Sequence, residues 1–167
     1  MALLPAAGRT LTRDFTATTF VVHEDRTLLL LHRKLGRWFP PGGHIEPHEL
    51  PHDAAVREVF EESGLHVVLL SQASALGNVA VLPQPHCLLL EQISADHQHI
   101  DLIYFASVCG GELAHSEREA GAARWFSWDD LAGDEIAEDI RVLGRRAIEA
   151  YRAGPHERDC APDKVVP

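Results

Sequence analysis

The chain has 167 residues, 46% of them hydrophobic and 24% charged, which suits one globular domain burying roughly two thirds of its unfolded surface and excludes a disordered or fibrous protein. Fifteen Lys and Arg against twenty-five Asp and Glu leave a formal net charge of -10, which argues against a nonspecific phosphate-backbone binder built on clustered cations, and no nucleic acid polymer is expected as a partner. An anionic substrate would need a bound divalent cation, or local Arg and Lys, to offset that charge.

Residues 1–14 read as an N-terminal extension. Its start, MALLPAAGRT, lacks a basic segment followed by a long apolar core, and no run approaches the roughly eighteen apolar residues of a bilayer span, so neither secretion nor membrane insertion is expected. Cys87, Cys109 and Cys160 are unpatterned and too few for a disulfide framework or a paired zinc site, which fits a reduced, cytoplasmic setting.

FTATTFVV (15–22) and TLLLLHRK (27–34) read as two strands hinged by the polar HEDR. The following LGRWFPPGGHIEPHE (35–49), with three Pro and three Gly, is expected to be an ordered loop without regular structure. Pro51 suits a first helical turn and Gly64 the left-handed residue past a helix end, which brackets a helix over Pro51–Ser63. LHVVLLSQASAL (65–76), PHCLLLEQI (85–93) and HIDLIYFASV (99–108) are β-like, and AARWFSWDDL (122–131) is a short strand running into a turn, so the sheet should be large and mixed. Ile136, Ile140, Leu143, Ala147 and Ile148 fall at helical spacing within a second amphipathic helix, about Asp134–Arg152. The Pro-rich tail, residues 153–167, is expected to be mobile or loosely docked.

Within the first helix Glu58, Glu61 and Glu62 share one arc of the wheel with Arg57, opposite an apolar stripe of Ala55, Val56, Val59, Phe60 and Ser63 that should lie on the sheet. Like charges at i,i+3 and i,i+4 cost about 0.2–0.5 kcal/mol per pair, and carboxylates in a last turn oppose the helix dipole by about 0.3–1 kcal/mol each. A solvated arc bears that cost. A hard divalent cation reverses it, because Mg²⁺ takes converging carboxylate oxygens, with waters and substrate phosphates completing its octahedron.

Read from Gly43 the order is Gly43, five residues, Glu49, seven residues, then Arg57, Glu58, Val59, Phe60, Glu61, Glu62, Ser63, Gly64 and Leu65. This resembles the Nudix box of the MutT-like Nudix hydrolases at every specified position over residues 43–65, and the hairpin before it and strands after it extend the likeness to a domain over residues 15–152. The resemblance implies an α/β/α sandwich with a mixed β-sheet, and a hydrolase that cleaves a nucleoside diphosphate linked to a moiety X by water attack at phosphorus. It further implies that Glu58, Glu61 and Glu62 supply carboxylate ligands and Gly42 a carbonyl ligand to Mg²⁺ or Mn²⁺, and that Arg57 and Glu49 form a pair orienting them. Substrates would be nucleotide-type small molecules, and a homodimer is plausible by the same resemblance. The competing reading is a catalytically idle Nudix fold that senses a nucleotide or holds a partner; the intact Arg57, Glu58, Glu61 and Glu62 favour catalysis.

The proton of the attacking water goes to Glu61 or to an acid on a later element. In HQHIDLIYF (97–105), His97, His99 and Asp101 share one strand face by alternation, which makes Asp101 and His99 candidates beside the plain reading of a half-exposed polar face. Arg33, Arg37, Trp38 and Gly43 are the candidate substrate contacts: Arg33, Lys34 and Arg37 either meet a phosphate or are solvated, and Trp38 and Phe39 stack on a base or, the safer reading, close the core. Trp125 and Trp128 read as packing residues. His44, His48 and His52 recur every four residues, but Pro47 and Pro51 break any helix that would align them for zinc, so solvent-side or substrate-side histidines are expected. Pro83 lies near, but not at, the place of a proline associated with ADP-ribose hydrolysis in the family.

Overall fold

The computed structural model describes residues 10–114 and 120–154, so the expectations for residues 1–9 and for the tail from residue 155 lie outside the described residues. Strands β1 (Thr12–His23) and β2 (Arg26–His32) form the expected hairpin. Its turn is tighter than HEDR: His23 pairs with Arg26, and Glu24 and Asp25 take φ of 47° and 60°, the left-handed pair that matches strand twist in two-residue hairpins. β1 begins at Thr12 rather than Phe15 because β9 (His97–Gly111) runs parallel to it from the Thr12–His97 register onward.

The segment 35–49 departs from its expectation. Two three-residue strands form inside it, β3 (Arg37–Phe39) against β2 and β4 (Gly42–His44) against β1. Glycine makes the second possible, since a Cβ at Gly42 would lie 2.7 Å from Thr18 Oγ1.

Helix α1 (Pro51–Ser63) has the expected bounds, with Gly64 at φ 71° donating its N–H to the Phe60 carbonyl at 2.8 Å. After it come β5 (Leu65–Leu69), a separate hairpin of β6 (Ser74–Leu76) and β7 (Val79–Val81), β8 (Cys87–Ser94), β9 and β10 (Ala120–Phe126). A 3₁₀ turn over Asp130–Ala132 leads to helix α2 (Glu138–Ala153), four residues later than expected, although Ile136 ahead of it is still buried.

The large sheet runs β10-β2-β1-β9-β5, with β3 added to β2, β4 to β1 and β8 to β9; β1 and β9 are parallel and the other pairs antiparallel. Alternation sorts its residues into two cores. Ala17, Val21, Leu28, Leu30, Tyr104 and Ala106 pack with Ala54, Ala55 and Val59 of α1, whereas Phe20, Val22, Leu29, Ile103 and Phe105 pack with Ile140, Leu143, Ala147 and Ile148 of α2. The helices therefore cover opposite faces of a mixed sheet, an α/β/α sandwich. No helix among the described residues is long and apolar enough to cross a membrane. Cys87 carries a free thiol.

Candidate active site

The face that α1 buries is rotated from the one expected. Ala54 is buried and Phe60 is 48% exposed, stacked on the His66 ring at 4.8 Å. That rotation turns Glu58 and Glu62 inward toward β4, and the Glu58 side chain keeps only 15% exposure while Glu61 keeps 56%. Glycine again makes the room: a Cβ at Gly43 would lie 2.5 Å from Glu58 Oε1. The N–H of Gly42 donates to Glu62 Oε2 at 3.1 Å. The acidic arc is thus wedged between helix and strand, not presented outward.

Arg57 holds the wedge. Its Nε and Nη2 donate to the two oxygens of Glu49 at 2.7 and 3.0 Å, its Nη1 donates to Glu58 Oε1 at 2.7 Å and Glu61 Oε2 at 3.1 Å, and Nη2 also reaches the His44 carbonyl at 3.1 Å. Glu49 in turn accepts the Glu46 N–H at 3.0 Å, which closes the loop onto itself. The hydrogen bond from Arg57 holds the Glu49 carboxyl below its usual range, and Glu49 followed by Glu58 raises the guanidinium further above its own.

The donor set fits a hard divalent ion. Glu58 and Glu61 converge on one guanidinium nitrogen, Glu62 reaches the Gly42 backbone, and every group is an oxygen ligand of the kind Mg²⁺ and Mn²⁺ prefer. Glu58, Glu61, Glu62 and the Gly42 carbonyl would hold the ion, while Arg57 and Glu49 fix the orientation of the first two.

Beside this wedge a cleft of about 230 Å³ opens between the sheet and α2, with Gly42 and Glu62 at one end and Thr18, Phe39, Leu89, Glu91, Asp101 and Asp139 among its walls. Asp101 is 3% exposed and accepts hydrogen bonds from the Thr16 hydroxyl at 2.9 Å and from Thr18. Burial pushes its carboxyl up, and the two threonines oppose this in part. Glu91, across the β8–β9 ladder from His99, is pushed up to about 7 by burial first and then by Asp101 and Asp139.

Of the residues proposed from sequence, Gly42, Gly43, Glu49, Arg57, Glu58, Glu61 and Glu62 come together, and Asp101 lies on the adjoining cleft. Arg37 is exposed at the start of β3, and Arg33 follows the end of β2. Trp38 packs T-shaped on Phe126 at 4.9 Å beside the α2 core, the core-closing role among its two readings, and its neighbour Phe39 lines the cleft. Sequence reasoning missed Glu91 and Asp139: each looked like part of an ordinary strand or helix, and only strand pairing and the seating of α2 bring them to one cavity. Nor do His44, His48 and His52 form a set; His44 instead meets His99, with ring centroids 5.0 Å apart. His99 is pushed down by burial and then by His44 and His97.

Comparison with known proteins agrees with this geometry. The NUDIX domain family model matches residues 12–147. A Bacillus subtilis (strain 168) protein provisionally named as an 8-oxo-dGTP diphosphatase is 30% identical over 112 residues, 66% of this chain and 64% of that protein. The NAD-capped RNA hydrolase NudC of Pseudomonas syringae is 30% identical over 132 residues, 79% of this chain and 40% of that protein, so the chain spans less than two thirds of either relative. A NUDIX family hydrolase of known structure from Clostridium perfringens superposes with a TM-score of 0.73 at 35% identity, over 83% of this chain and 98% of that one.

Proposed function

Because the chain belongs to the Nudix hydrolase family, we propose that it is a Mg²⁺- or Mn²⁺-dependent pyrophosphohydrolase acting on a nucleoside diphosphate linked to a second moiety. The observation that carries this reading is the wedge of Glu58, Glu61 and Glu62 against Gly42 and Gly43, locked by Arg57. A cation seated there would neutralise phosphate charge and acidify a bound water. In the step proposed, the water oxygen bonds to one phosphorus, the bridging P–O bond breaks, and the other phosphate leaves with the bridging oxygen.

The chain's own residues divide the rest of the work. Glu61, the most exposed of the three acids, is the proposed acceptor of the water's proton, as its carboxylate meets solvent and is tethered through Arg57 Nη1. Asp101, with both threonine hydroxyls on it, is the proposed contact for the substrate in the cleft. Arg33 and Arg37, near the mouth of the glycine strand, are proposed to meet the outer phosphates. A domain over residues 15–152, a homodimer and a cytoplasmic setting complete the proposal.

The test is a panel of nucleoside triphosphates, nucleotide sugars, ADP-ribose and dinucleoside polyphosphates with Mg²⁺ or Mn²⁺, with products identified. Turnover of at least one compound to a nucleoside monophosphate or to pyrophosphate, reduced about 10²-fold or more by Glu61→Gln, is expected. Tight binding of one compound with no turnover of any would establish the sensor reading instead.

A further inference from the structure

On the sheet face that carries α2, beyond the end of that helix, four side chains from three strands meet. Asp14 of β1 stands opposite His99 of β9, and His97 stands two residues earlier on the same face. His44 enters from β4, one pairing step away, opposite Thr16. Asp14 Oδ2 lies 3.4 Å from His44 Nε2 and 3.6 Å from His97 Nε2, and the His99 ring sits between the other two imidazoles at 5.0 and 5.1 Å between centroids. Ligand atoms of Asp14, His97 and His99 lie within 4.8 Å of one another. We propose that Asp14, His44, His97 and His99 form a site for a borderline divalent transition ion of the Zn²⁺ class, separate from the carboxylate wedge on α1.

Three features support it. A tetrahedron with bonds of about 2.1 Å has edges of about 3.4 Å, close to the observed separations, and imidazole nitrogens with one carboxylate are a zinc-type donor set, not the all-oxygen set of Mg²⁺. The Thr12 hydroxyl donates to the Asp96 carbonyl at 3.2 Å, so its 2.9 Å contact with His97 is made by Nδ1–H donating to Thr12 Oγ1. Thr12 thereby supplies the outer hydrogen bond typical of a ligating histidine and leaves Nε2, 3.6 Å from Asp14 Oδ2, as the ring nitrogen turned toward the proposed ion. Access is open, since the His44 and Asp14 side chains are 56% and 50% exposed. The carboxylate at the centre argues against an anion. None of this depends on the hydrolase reading.

The experiment uses the full chain, stripped of metal and then held in saturating Mg²⁺ to fill the carboxylate wedge. Zn²⁺ is titrated against a chromophoric chelator, and Co²⁺ is substituted for its ligand-field bands. One ion per chain is expected, with tetrahedral Co²⁺ bands and a Zn²⁺-dependent rise in melting temperature. All three should vanish in His97→Ala/His99→Ala, weaken at least tenfold in His44→Ala, whose exposed side chain is not needed for folding, and persist in Glu61→Gln. Absence of a stoichiometric ion, or binding lost with Glu61→Gln yet unchanged in His44→Ala, would overturn the site.

Discussion

Arg57 grips both carboxylate oxygens of Glu49 in a two-pronged contact, from Nε at 2.7 Å and Nη2 at 3.0 Å, across the first turns of α1, eight positions along the chain. The remaining Nη1 is thereby aimed at Glu58 and Glu61. Lysine carries the charge but has no planar fork. Arg57→Lys should therefore fold, bind substrate with little change in KM, and lose about 10- to 100-fold in kcat, the usual effect of disturbing a group that orients ligands. Steady-state kinetics with the best panel substrate checks this. An unchanged kcat would mean that Glu58 and Glu61 hold their places without the guanidinium.

Gly43 is needed for the absence of its side chain. A methyl group there would sit 2.5 Å from Glu58 Oε1, and Glu58 has Arg57 on its other side. Gly43→Ala should push the carboxylate out of the wedge, raising the Mg²⁺ concentration for half-maximal activity and lowering kcat about tenfold or more. Activity measured across a Mg²⁺ series separates the two effects. Wild-type values would show that Glu58 is not used where it stands.

Glu91 gives the cleft a pH signature. Its carboxyl is pushed up to about 7 by burial and by Asp101 and Asp139, whereas an unfolded Glu titrates near 4.3. Between those values the folded chain holds a proton that the unfolded chain has released. The stabilising contribution of the protonated group is complete below about 4.3 and is lost as pH rises through about 7. In metal-free buffer Glu91→Gln should match the wild type near pH 4 and exceed it near pH 8, by about 1–2 kcal/mol after solvent screening or a few degrees in melting temperature. A difference that does not change with pH would place Glu91 in the ionised form throughout.

The bounds of α1 were legible because local chemistry sets them: Pro51 in the first turn and a left-handed Gly64 after the last. The box residues were singled out by the resemblance to the Nudix box that their spacing carries. The rotation of α1 was not, because the wheel shows which residues share an arc and not which arc faces a glycine strand with space for carboxylates; Phe60 was therefore expected inside and Glu58 outside. β3 and β4 were hidden for a related reason. Three residues carry no periodicity, and the strands exist only by pairing with β2 and β1. The meeting of His44 with His97 and His99, and of Glu91 with Asp101, likewise depends on which strands are neighbours, which one-dimensional alternation cannot state.

Mn²⁺ binding followed by electron paramagnetic resonance, with and without nucleotide, tests the wedge on α1 most directly. The wild type should hold Mn²⁺ at submillimolar to millimolar concentration, and the combined change of Glu58, Glu61 and Glu62 to Gln should abolish that binding in a chain that remains folded, while His97→Ala/His99→Ala retains it. Undiminished Mn²⁺ binding by the triple Gln variant would contradict the assignment of the three carboxylates as the cation's ligands.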